Sequence, residues 1–146
     1  MELDRDFKEF LALLAANKVD YLIVGGYAVA FHGHPRYTGD IDIWVKPSQE
    51  NAAKLRKALE GFGFDAEPLA ELDFESETIA FHLGVPPVRI DILNRIAGVK
   101  FDQCFENKVE IEIETLRINY ISYQDLLTNK KASGRLQDLS DLENLQ

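Results

Sequence analysis

The chain has 146 residues, 46% of them hydrophobic and 28% charged, which predicts one ordinary globular domain. Its one cysteine, Cys104, excludes an internal disulfide and a cysteine-built zinc cage. Sixteen Lys and Arg against 25 Asp and Glu leave a net charge of −9, which repels nucleic-acid backbones and argues against general DNA binding.

The N-terminal run Met1-Glu-Leu-Asp-Arg-Asp6 is acidic and lacks a signal-peptide charge pattern. Phe7, Phe10, Leu11 and Leu14 recur at helical spacing, predicting an amphipathic helix over residues 4–17. Tyr21-Leu-Ile-Val24 reads as a short buried strand ended by Gly25-Gly26, and residues 27–32 suit a short helix. His34-Pro-Arg-Tyr-Thr-Gly39 reads as a loop, with Pro35 and Gly39 as breakers. Asp40-Ile-Asp-Ile-Trp-Val45 alternates with period two, as a strand does. Ser48 is the expected N-cap of a helix that runs to about residue 59 or 62, with Ala52, Leu55 and Leu59 inward.

Residues 61–73 form an acidic connection, and the acidic residues from Glu67 to Glu77 read as a solvated face. Residues 78–83 and 88–93 are expected to pair as a hairpin around the turn at 84–87. Residues 109–114 and 117–121 suggest two further strands. Ser122 caps a helix to about residue 131, and residues 136–145 form a last helix with leucines at 136, 139, 142 and 145. No apolar run approaches the ~20 residues of a membrane span. The reading is therefore a soluble, cytoplasmic α+β domain over residues 1–146: a mixed sheet flanked by helices, core at about 20–121, C-terminal helices at about 122–146.

Three features bear on chemistry. Gly25-Gly26, between a strand and a helix, suits either a tight turn or close approach of a phosphate. Asp40 and Asp42 share one face of their strand while Ile41 and Ile43 enter the core. Aspartate is a poor strand former, so the pair marks either a solvent-facing edge or a divalent cation held by hard oxygens. In the strand at 88–93, Arg89 and Asp91 point away from Val88, Ile90 and Ile92. They form either a surface ion pair or, if this strand lies near Asp40, part of a three-carboxylate metal site. Other candidates have simpler readings. His32 and His34 lack a supporting Cys/His cluster for zinc. His82 reads as a packed or hydrogen-bonded side chain and Cys104 as a packed thiol, and Trp44, on the Asp40 side, reads as packing beneath a helix or as support for a base or substrate.

Val24-Gly25-Gly26, thirteen intervening residues, then Asp40-Ile-Asp42-Ile43 resembles the signature of the nucleotidyltransferase superfamily that includes polymerase β. Asp91, within Val-Arg-Ile-Asp-Ile-Leu, matches the third carboxylate of that family in context. Asn129-Lys-Lys-Ala-Ser-Gly-Arg135, followed by Leu-Gln-Asp-Leu-Ser-Asp-Leu142, resembles the C-terminal motif of the small bacterial abortive-infection (AbiEii-like) nucleotidyltransferases. The resemblance implies a nucleotidyltransferase fold and transfer of a nucleoside monophosphate from an NTP, such as ATP, to a hydroxyl, with release of pyrophosphate. It implies Asp40, Asp42 and Asp91 as catalytic residues on two Mg²⁺ ions, with Mn²⁺ a permitted substitute. Gly25, Gly26 and Lys130 would meet the phosphates, with Lys130 favoured over Lys131, and Arg135 belongs to the same motif. Arg36 and Thr38, in the loop before Asp40, are candidates for phosphate or acceptor contact; the simpler reading of Arg36 is a solvated loop residue. The acceptor is a small molecule, or a protein in a toxin–antitoxin setting, and a partner protein or second subunit is a candidate to complete the site. The rival reading is a non-catalytic nucleotide-binding or antitoxin-type interaction protein on the same fold.

Overall fold

The alternation at Asp40–Val45 governs the architecture: Ile41, Ile43 and Val45 are fully buried, whereas Asp40 and Asp42 stay half-buried on the other face. In the computed structural model, which describes residues 3–85 and 87–146, this strand (β2) lies inside a six-stranded mixed sheet. Its companions are β1 (Tyr21–Val24), β3 (Ala80–Leu83), β4 (Arg89–Leu93), β5 (Val109–Ile113) and β6 (Leu116–Tyr120). The strand order is β3-β4-β2-β1-β6-β5. Antiparallel β1–β2, β3–β4 and β5–β6 pairs are joined by the parallel β2–β4 and β1–β6 pairs. Met1 and Glu2, of the expected acidic N-terminus, and Pro86, in the expected 84–87 turn, lie outside the described residues.

The capping chemistry sets the first helices. Asp4 accepts from the Asp6 N–H at 2.8 Å to open α1 (Arg5–Ala16), whose Phe7, Phe10, Leu11 and Leu14 are buried. Helix α2 (Gly25–Phe31) starts at the glycine pair itself, two residues earlier than the sequence suggests. Ser48 accepts from Asn51 N–H at 3.1 Å and opens α3 (Gln49–Gly61). Asn51 then bonds the backbone of Asp20 and Lys46, tying α3 to the start of β1 and the end of β2. Phe10 of α1 meets Phe62 edge-on at 5.2 Å, so α1 and α3 pack together.

Phe101–Glu106 forms a six-residue helix, α4, absent from the sequence reading. So short a stretch shows little periodicity, and its helical state comes from packing, with Phe101 seated edge-on against Trp44 at 5.1 Å. Trp44 thus packs beneath a helix. The acidic connection contains one 3-10 turn, Glu67–Glu71. Cys104 is buried, and burial pushes its thiol up to about 12, as for an inert packed thiol.

Helix α5 (Tyr123–Ser133) is capped by Ser122 and ended by Gly134 in the left-handed conformation. Helix α6 (Leu136–Leu145) departs from its leucine pattern: Leu136 and Leu139 face solvent, and Asp138 and Asp141 are the buried residues. Charge pairing, rather than a leucine stripe, holds this face inward. Among the described residues no helix is long and apolar enough to cross a membrane.

Candidate functional site

Parallel pairing of β2 with β4 sets Asp42 directly beside Asp91, and Asp40 beside Arg89. All four side chains share one face of the sheet because each strand alternates with period two. They line a cleft of about 400 Å³. Gly25 reaches the same cleft from the start of α2, and Lys130 and Arg135 reach it from α5 and the turn after it. Residues from four separate stretches of the chain thus converge.

The carboxylates carry an electrostatic load. Burial raises Asp42 most, followed by the charge of Asp91 beside it and then Asp40; Lys130 partly offsets this, and the result is about 7. Arg89 grips Asp91 through two bonds, Nε to Oδ1 at 2.8 Å and Nη2 to Oδ2 at 3.1 Å, and lies 3.8 Å from Asp40. The Arg89–Asp91 pair is therefore both an ion pair and part of the acidic face. Among the described residues no three His, Cys, Asp or Glu side chains form a metal-binding cluster. Both Asp91 oxygens accept hydrogen bonds from the Arg89 guanidinium. Asp40 and Asp42 fit a Mg²⁺ held by one or two carboxylates plus substrate phosphates, and the like-charge strain on Asp42 is what a cation relieves.

The glycine pair is explained by close approach. Gly25 has φ +68°, and a Cβ there would lie 2.0 Å from Asp42 Oδ2. At Gly26 a Cβ would lie 2.9 Å from the Thr38 side chain. Gly25→Ala is expected to cost about 1–3 kcal/mol through the strained backbone and to push the Asp42 carboxylate aside. Urea unfolding and a Mg²⁺-dependent nucleotide thermal shift check this, the shift shrinking in the variant.

Gly26, Thr38 and Arg36 do not line the cleft. The Thr38 hydroxyl donates to the Asp40 carbonyl at 3.0 Å, steadying the entry to β2. Arg36 donates to both oxygens of Asp141, at 2.8 and 2.9 Å, so it is neither a solvated loop residue nor a cleft residue. His32 is engaged through Nε2 with the Ile121 carbonyl at 2.7 Å.

Two residues quoted in the C-terminal motif but given no role by the sequence reading, Asp138 and Asp141, prove central. Lys130 Nζ lies 3.1 Å from each of them, with all three side chains no more than 5% exposed. Burial alone would raise both carboxyls, but hydrogen bonds from Arg135 and Lys130 to Asp138, and from Arg36 and Lys130 to Asp141, hold them below the usual carboxylate range. The signal was their spacing of three, which puts both on one helix face.

A family model described as "Nucleotidyltransferase of unknown function (DUF6036)" matches residues 1–146. No curated protein matches the sequence significantly. Several solved structures share the fold. A candidate nucleotidyltransferase (TM1012) from Thermotoga maritima is 19% identical over 97% of this chain and 88% of its own, with a TM-score of 0.63. The lincosamide antibiotic adenylyltransferase LnuA, in a lincomycin-bound structure, is 21% identical over 98% and 96%, with a TM-score of 0.62. An antigenic nucleotidyltransferase-like protein from Paracoccidioides brasiliensis is 17% identical over 98% and 77%, with a TM-score of 0.52.

Proposed function

Because this chain belongs to the DUF6036 family of nucleotidyltransferases, we propose that it transfers a nucleoside monophosphate from an NTP to the hydroxyl of a small molecule or protein. The observation that carries the reading is Asp42 beside Asp91 across the β2–β4 pair, with Asp40 on the same face. In the reaction the acceptor oxygen forms a bond to the α-phosphorus. The bond from that phosphorus to the bridging oxygen breaks, and pyrophosphate leaves with its electron pair. The acceptor proton passes to Asp91 or to solvent.

Bound Mg²⁺ would supply charge neutralisation and polarisation of the phosphate oxygens. Asp40 and Asp42 would hold it, and Asp91 would join a second ion on release from Arg89. Lys130, fixed by two buried aspartates, would set a cation against the phosphates without moving during the reaction. Arg135, also on the cleft, would add a second. Gly25, lacking a side chain, leaves the approach to Asp42 open.

A thermal-shift panel of ATP, GTP, CTP and UTP, with and without Mg²⁺, tests the reading. At ~100 times the dissociation constant a ligand stabilises by about 2.7 kcal/mol. A Mg²⁺-dependent shift with at least one NTP, absent in an Asp40→Asn/Asp42→Asn double variant, is expected. No shift with any of the four would overturn it.

A further inference from the structure

A larger pocket, of about 530 Å³, adjoins the cleft and shares Arg95 and Ile96 with it. It lies at Trp44, two residues along β2 from Asp42 and so about 7 Å away on the same face. The indole is fixed: its Nε1 donates to the Asn94 carbonyl at 3.1 Å, and its ring abuts Phe101. Ile96 and Val99 add apolar surface. This volume suits an organic molecule of drug size.

The charge around it runs against the rest of the molecule. Lys46, Lys100 and Arg95 line it with one carboxylate, Asp102, which sits 3.6 Å from Lys46. In a chain of net charge −9, that is a local inversion of sign. Neither lysine lines the cleft, so their charge is set apart from the phosphate side at Asp40 and Asp42.

We propose that this pocket binds the acceptor, and that the acceptor is an organic anion: an apolar or aromatic body bearing a carboxylate, sulfonate or phosphate, with its hydroxyl turned toward Asp42 and Asp91. The acceptor role rests on the nucleotidyl-transfer reading above. The apolar body packs at Ile96 and Val99, above the buried Trp44–Phe101 pair, and the anionic group meets Lys46 and Lys100. A cationic amine of the same shape would face repulsion from those lysines.

Trp44 is the only tryptophan, so its emission reports on this pocket. The probes are 8-anilinonaphthalene-1-sulfonate and N-phenyl-1-naphthylamine, which share an aromatic frame and differ in the sulfonate. The sulfonate should bind about tenfold tighter, quench Trp44 by energy transfer, and remain bound with saturating MgATP. A Lys46→Glu/Lys100→Glu variant, with Lys46→Gln/Lys100→Gln as a milder counterpart, should lose the preference. Equal affinity for the two probes, an unchanged preference in both variants, or displacement of the sulfonate by MgATP would overturn the proposal. MgATP stabilisation on the same samples separates the two readings. Stabilisation without sulfonate binding defeats the pocket alone. Sulfonate binding without stabilisation by any NTP defeats the nucleotide reading, and the acceptor role with it.

Discussion

Replacing Asp42 with Asn is expected to lower nucleotidyl transfer by about 10³-fold or more, since a metal's charge stabilisation is worth several kcal/mol, and to raise stability at neutral pH. The two effects share a cause. Burial, then the charges of Asp91 and Asp40, lift the Asp42 carboxyl from 3.8 to about 7. The folded state therefore holds a proton that the unfolded chain has already released. Stability is fully present below the unfolded value near 4 and falls as pH rises through about 7, by up to roughly 4 kcal/mol. Asp42 and Asp91 face each other, so the titration belongs to the pair. Asn carries no charge and should flatten this limb, and Mg²⁺ should flatten it in the wild type by neutralising the same site. Urea unfolding between pH 5 and 8, with and without Mg²⁺, measures it. Identical slopes in wild type and variant would defeat the idea.

The parts legible in the sequence are those where local chemistry and tertiary demand agree. Ser48 and Ser122 cap helices because their hydroxyls meet local N–H groups. The period-two pattern at Asp40–Val45 survives because one face must be buried. What the sequence hid depends on partners far along the chain. Arg36 finds Asp141 across 105 positions, and nothing in His34-Pro-Arg-Tyr-Thr-Gly39 announces that partner. Leucines recur at 136, 139, 142 and 145 along α6, yet cationic partners on α5 and in the 34–39 loop make Asp138 and Asp141 its buried residues. Phe101–Glu106 is helical through its contact with Trp44, a packing effect that so short a window does not display.

Asp141→Asn is expected to cost about 3–5 kcal/mol, the penalty for breaking a buried ion pair from one side. Asp141 is fully buried, with Lys130 Nζ at 3.1 Å and the Arg36 fork at 2.8 and 2.9 Å. Asparagine keeps the shape but takes from Arg36 its carboxylate partner and leaves Lys130 with Asp138, which Arg135 already shares. Asp138 and Asp141 both titrate below their ordinary value, so the stability they add is present above the unfolded value near 4 and is lost as pH falls below it. This slope opposes that of Asp42, so these three carboxyls together favour the range just above pH 4. Asp141→Asn should shallow the acid limb alone and speed amide exchange in α6. In a double-mutant cycle, Lys130→Met should recover part of the loss, because removing both charges removes the uncompensated one. Strict additivity would mean that Lys130 and Asp141 do not depend on each other. Coupling would show that α6 holds Lys130 in place beside the cleft, and a Mg²⁺-dependent nucleotide thermal shift on Asp141→Asn, expected to shrink with every carboxylate of the cleft intact, reads whether that hold matters for binding.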